Sequence, residues 1–174
     1  MEPANPKKSS LDTAANIAII VVCAIAAVVL IRNQFFPPRP PGAPPQVEKG
    51  ERFDQLKAVV PAGTQKALVV AVSPTCHFCN ESLPFYKKVI EHRDRKNSPV
   101  KFIAAVPAEQ MKAEEGKKFA EAGVRPDGMV PLDFSAIKVP GTPTVLLVDN
   151  NGKVLDVWVG KLQGDGEEEV LEAL

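Results

Sequence analysis

Ser73-Pro74-Thr75-Cys76-His77-Phe78-Cys79 is the stretch on which the reading of this chain turns. It follows an unbroken apolar run, Ala67 to Val72, with the length and composition of a central strand covered on both faces. It leads into a helical pattern in which Cys79, Leu83, Tyr86 and Ile90 share one stripe and Pro84 is expected to kink the helix. Two cysteines so spaced at a strand-to-helix junction put the first sulfur at the helix N-terminus. Free backbone N–H groups and the positive end of the helix dipole favour an anion there. A thiolate is such an anion, so the sequence predicts a depressed pKa and nucleophilic character for Cys76. Cys79, one turn on, is placed to attack a mixed disulfide formed on Cys76.

Two blander readings stand beside this one. A structural disulfide between the pair would close so small a ring that it would stabilise little. A zinc site needs four ligands, and only His77 and His92, too far apart along the helix to converge, could join the cysteines. The redox reading is preferred, with no metal and no cofactor expected. His77, directly after the nucleophile, either stabilises a thiolate electrostatically or is an exposed histidine with little effect, and Phe78 is a candidate for an apolar rim or simple packing.

Composition narrows the function classes. The 174 residues carry 21 basic and 21 acidic side chains, so no basic excess exists to neutralise phosphates and nucleic acid is not expected as a partner. Only three cysteines are present, Cys23, Cys76 and Cys79, which excludes a disulfide-framework domain. Mid-span Cys23 reads as a small apolar packing residue.

Working outward, residues 1–13 form a polar tail with Lys7 and Lys8. Residues 14–32 form a membrane anchor, because Leu11 to Ile31 is 21 residues long with no charge between Asp12 and Arg32, and a spanning helix needs roughly 20. The flanking charges are nearly balanced, so orientation rests on the chemistry: the domain is placed outside, with the N-terminus in. A cleaved leader is the alternative, but the run is long for one and its small-residue cleavage sites fall within it. Residues 33–50 hold six prolines between Pro37 and Pro45, which favours an extended, semi-rigid spacer.

Residues 51–174 form the folded domain. A short helix is expected over Glu51 to Val59, and strands over Ala67 to Val72, Val100 to Val106 and Thr144 to Val148. Ala108 to Ala122 reads as an amphipathic helix with Met111, Phe119 and Ala122 inward and Gly123 as its C-cap. Met129 to Phe134 is ambiguous. Asn151-Gly152 signals a hairpin into Lys153 to Val159, and Glu167 to Leu174 a closing helix with an acidic, solvated start. Trp158 is expected in the core and His92 at the surface. The fold class is α/β, a mixed sheet with helices on both faces.

In this order the elements resemble the thioredoxin fold, most closely the membrane-anchored TlpA/ResA-like thiol-disulfide oxidoreductases. Four features carry the resemblance: Cys76-His77-Phe78-Cys79 between strand and helix; Pro84; Val139-Pro140-Gly141-Thr142-Pro143-Thr144, similar to the family's cis-proline loop; and Val159-Gly160-Lys161-Leu162 after the hairpin. The interval from Cys79 to Pro143 has room for an extra helix and strand, as in the TlpA-like branch. Thr75 stands where these proteins usually have Trp, and Val70 where they usually bury an acid. Glu81 lies one residue before the position of the branch's helix glutamate.

The resemblance implies a cis Pro143 that exposes the backbone of Thr142 to an extended partner peptide. It further implies protein thiols and disulfides as partners, a membrane electron donor, and a reducing, periplasmic or otherwise extracytoplasmic role. A disulfide oxidant or isomerase, a copper- or zinc-handling module on the same scaffold, and a redox-inert displayed domain are the alternatives.

Overall fold

The computed structural model describes residues 10–35 and 45–174, with side chains described for 15–31 of the first segment. The tail at 1–9 and most of the proline-rich spacer lie outside the described residues. The chain divides into two compact units, Met1–Ala43 and Pro44–Leu174. In the first, helix α1 (Ser10–Phe35) carries the apolar run. Its large aliphatic side chains from Ile17 to Ile31 are exposed. Among the described residues no helix is long and apolar enough to cross a membrane.

The second unit contains α2 (Asp54–Val59), β1 (Lys66–Ala71), α3 (His77–Glu81), α4 (Leu83–Arg95), β2 (Lys101–Val106), α5 (Lys112–Glu121), β3 (Gly128–Pro131), β4 (Thr144–Asp149), β5 (Val154–Val159) and α6 (Asp165–Glu172). The five strands form one sheet in the order β3-β2-β1-β4-β5. β1 pairs in parallel with β2, β2 in parallel with β3, and β4 runs antiparallel to both β1 and β5. Central β1 is buried on both sides, as its unbroken apolar sequence requires. Alternate residues sort the core into two layers. Leu68, Val70, Phe102 and Ala104 pack with Tyr86, Phe119 and Val170 from α4, α5 and α6. Ala67, Val69, Ile103 and Leu146 pack with Leu56 of α2 and with Leu132 and Ile137.

Several expectations are corrected. The helix anticipated from Glu51 starts at Asp54, because Arg52 is held in a bridge to Lys153. Packing nevertheless begins earlier in the chain: Val47 is buried, and its N–H bonds to the Lys138 carbonyl. The helix expected to kink at Pro84 is broken instead at Ser82. Pro84 then sits in the first turn of α4, where its missing N–H costs nothing. The stripe survives this break, with Cys79, Tyr86 and Ile90 buried and Leu83 packed against them. The segment before α5 opens as a 3-10 turn at Glu109–Met111, and Gly123 follows the helix at φ +70°. His92 is not surface-exposed: it is half-buried, and its Nε2 has no hydrogen-bond partner among the described residues.

Asp127 secures the start of edge strand β3. Its Oδ2 accepts the Phe102 N–H at 2.8 Å, its own N–H bonds to the Phe102 carbonyl at 2.8 Å, and Arg93 and Lys101 pair with its carboxylate. Burial works to raise its pKa, but the Phe102 N–H and Arg93 outweigh burial and hold it below the usual range. A depressed folded pKa adds stability above the unfolded value, about 3.9, and that stability is lost as pH falls through the folded value. Asp127→Ala is therefore expected to lower stability at pH 7 by about 2 kcal/mol. Denaturant titrations should show the gap closing below about pH 4.

Candidate active site

Strand direction gathers the site. Because β4 is antiparallel to β1, its first residue, Thr144, pairs with the last residue of β1, Ala71. The chain leaving β1 at Ser73–Cys76 and the chain entering β4 at Thr142–Pro143 therefore meet at one end of the sheet. Val159, closing β5, pairs with Thr144, and the Gly160 N–H reaches the Pro143 carbonyl at 2.8 Å, so Lys161 arrives at the same end. Parallel β2 also ends there, held by the Val72 N–H to the Ala105 carbonyl at 2.9 Å. Three segments distant in sequence thus converge on Cys76.

Cys76 caps α3 in an extended conformation, and a turn bond from its own N–H to the Ser73 carbonyl, 3.0 Å, sets that entry. Its Sγ is disulfide-bonded to Cys79 and accepts the Cys79 backbone N–H at 3.1 Å. It also lies 3.2 Å from the Thr142 carbonyl oxygen, across the cis Thr142–Pro143 peptide. The expectation of a long helix behind the sulfur is revised here, since α3 ends at Glu81. The favourable field on Sγ comes from the first-turn N–H itself, which suits a dipole effect that decays within one turn. Cys76 is half-buried and Cys79 fully buried, so only the first sulfur is open to a partner.

Around Cys76 the surface is open. Phe78 is 55% exposed and makes an edge contact with the His77 ring; it does not pack into the core. Val159 at the end of β5 is also exposed. His77 turns to Glu81, with Nε2 3.1 Å from Oε1, and Lys161 donates to the other Glu81 oxygen at 2.9 Å. The Lys161 bond holds the Glu81 carboxyl below the usual carboxylate range against desolvation, with interactions from Lys161 and His77 reinforcing it. Glu81 therefore partly neutralises the Lys161 ammonium and holds the His77 ring beside the redox turn. Removing that charge in Glu81→Gln should leave them free to favour a thiolate. We expect reduced Cys76 to titrate lower by a few tenths, more clearly at low salt. Alkylation rate against pH would check this, and a higher midpoint would contradict it.

The sequence reading missed two residues of the site and one buried acid of the core. Lys161 is 80 residues from Glu81 and is joined to it only by the sheet. Ser82 breaks the helix and donates its hydroxyl to the Phe78 carbonyl at 2.8 Å. Glu115 of α5 is buried. Only Glu115 left a local signal, since it sits four residues after Met111 and four before Phe119, on the stripe that faces inward. No group of acids, histidines and cysteines suited to a metal ion occurs among the described residues.

No protein-family model matches the sequence, and no curated protein matches it. Solved structures do. A secreted disulfide oxidoreductase of Mycobacterium tuberculosis, described as homologous to Escherichia coli DsbE, is 14% identical over 64% of this chain and 83% of its own, with a TM-score of 0.51. The fold is thioredoxin-like. A candidate thiol:disulfide interchange protein DsbE from Chlorobium tepidum aligns at 19% identity over 75% of this chain and 98% of its own, TM-score 0.53. StoA of Bacillus subtilis aligns at 15% identity over 76% and 98%, TM-score 0.51.

Proposed function

We propose that the protein is a thiol-disulfide oxidoreductase that reduces disulfides of exported proteins through Cys76 and Cys79. The observation that carries this reading is the position of Cys76 Sγ: half-exposed, bonded to Cys79, receiving a first-turn N–H, and facing the Thr142 carbonyl. The reduced Cys76 thiolate attacks a partner disulfide, a mixed disulfide forms and a partner thiolate leaves. Cys79 then attacks Cys76 Sγ, closing the internal disulfide and releasing the second partner sulfur. Phe78, Val159 and the backbone of Thr142 border the approach, so an extended peptide can lie across the sulfur and pair with that backbone. The names of the structurally similar proteins favour the same chemistry.

The helix α1 anchors the domain to a membrane with its N-terminus inside, the proline-rich segment acts as a spacer, and the domain works outside the cytoplasm. Supporting this are the uncharged run between Asp12 and Arg32 and the exposed aliphatic side chains of α1. A reductase in that setting draws electrons from a membrane donor. The test is the reduction potential of the whole chain, with insulin as disulfide substrate. A potential near that of thioredoxin, about −270 mV, is expected; one near about −120 mV would make the protein an oxidant instead.

A further inference from the structure

Pro74, two residues before Cys76, is buried, and a buried carbonyl needs a donor. Among the described residues no backbone N–H supplies one; the ammonium of Lys118 on α5 does, from 44 residues away in the chain. Two further contacts shape the same turn. The Cys76 N–H bonds to the Ser73 carbonyl at 3.0 Å, and the Ser73 and Thr75 hydroxyls lie 3.2 Å apart. The neighbour of Lys118 explains how the reach is made. Phe119 is 1% exposed and its ring lies 6.0 Å from that of Tyr86, which seats α5 in the core and leaves Lys118 at the rim, 27% exposed. Lys117, one residue earlier, is 79% exposed and lies 3.9 Å from Glu121 on its own helix.

The charge balance at Cys76 gives the Lys118 contact a role. The Thr142 carbonyl oxygen, 3.2 Å from Sγ, opposes a thiolate, while the Cys79 N–H, 3.1 Å away, favours one. Lys161 is engaged by the Glu81 carboxylate at 2.9 Å. Lys118 is bound to a neutral carbonyl instead. The carboxylate beside it, Glu114 at 3.4 Å, is 62% exposed, so water screens much of that pairing.

We propose that Lys118 is a positioning residue for Cys76: it holds the Pro74 carbonyl, fixing the turn that presents the sulfur, and sets behind that turn a positive charge that favours the thiolate. This rests on the redox reading above. Lys118 acts through the loop and through its field in a partly buried setting, where charges are screened less than in open solvent. The other charged and titratable groups around the turn are Glu114 and Glu115 on α5, His77 and Glu81 on α3, and Lys161 after β5. Among the described residues, Lys118 is the cation bonded to the segment that leads into Cys76.

The test follows alkylation of reduced Cys76 against pH on its own peptide, in the whole chain. Lys118→Met, which keeps the length and helix propensity of the side chain, should raise the Cys76 midpoint by about half a unit. Lys118→Arg, which keeps the charge and the donor, should bring back most of that shift. Lys117→Met removes the same formal charge from the same helix and should leave the midpoint in place. Glu114→Gln removes the carboxylate beside Lys118 and should lower the midpoint by a few tenths. An unchanged midpoint in Lys118→Met would overturn the inference, and so would equal shifts in Lys118→Met and Lys117→Met. Should Lys118→Met not fold, an unchanged midpoint in Glu114→Gln overturns it. A wild-type Cys76 midpoint at or above the ordinary thiol value of about 8.5 would instead overturn the redox reading itself.

Discussion

Replacing Cys76 with serine is expected to reduce insulin disulfide reduction to the background rate, while replacing Cys79 with serine turns the protein into a trap. The asymmetry follows from exposure and bonding. Of the pair, only Cys76 Sγ is accessible, and it receives the first-turn N–H that stabilises negative charge. A serine hydroxyl at the same place stays protonated near neutrality and cannot attack sulfur, so no mixed disulfide begins. In Cys79→Ser the first step is intact and the resolving step is missing, so covalent adducts should accumulate on Cys76 and disappear on adding dithiothreitol. Mass spectrometry of the adduct peptide reads this directly. Adducts on Cys79 in the Cys76 variant at comparable rates would mean the roles are reversed. Cys23, in the N-terminal unit, is exposed and unpaired, and whatever adduct its peptide carries should be the same in the wild type and in both variants.

The largest stability effect is expected at Gly152→Ala. Gly152 closes the β4–β5 turn at φ +74°, where its N–H bonds to the Asp149 carbonyl and the Asp149 side chain takes the N–H groups of Asn151 and Lys153. The start of α2 presses on this turn, with the Phe53 N–H bonding to the Gly152 carbonyl at 3.0 Å. A Cβ at 152 would stand 2.3 Å from the Phe53 carbonyl oxygen and 2.8 Å from the Lys57 nitrogen. Both are backbone atoms, so the clash cannot be relieved by a rotamer, and the left-handed conformation adds its own cost. We expect a loss on the order of 3 kcal/mol by chemical denaturation. A loss under about 1 kcal/mol would mean that α2 yields easily at this contact. Activity per folded molecule should be unchanged, since the turn lies at the end of the sheet opposite Cys76.

Those two sites also show what the sequence displayed and what it hid. Cys76, Cys79 and the Asn151-Gly152 turn are local signals, carried by residue type and spacing over a few positions, and the strands were marked by apolar runs. The break at Ser82 was not legible, because an intact helix with a proline kink and two helices meeting at Ser82 place the same side chains on the same stripe. The Glu81–Lys161 pair could not be read, because surface charges 80 residues apart are joined only once β5 is laid beside β4. His92 looked solvated amid Arg93, Asp94 and Arg95, yet its position on α4 turns Nε2 inward. Val70 of β1 stands where the resembling proteins usually bury an acid, and Glu115 of α5, whose neighbours along the chain are charged or small, gave little sign beyond its spacing from Met111 and Phe119 that it is buried.

The most direct test of the central claim is the rate of iodoacetamide alkylation of reduced Cys76 as a function of pH, followed on its own peptide. A thiolate favoured by the first-turn N–H should give a midpoint well below the ordinary thiol value of about 8.5, with Cys79 reacting far more slowly. A Cys76 midpoint at or above about 8.5, or equal reactivity of both cysteines, would contradict the account.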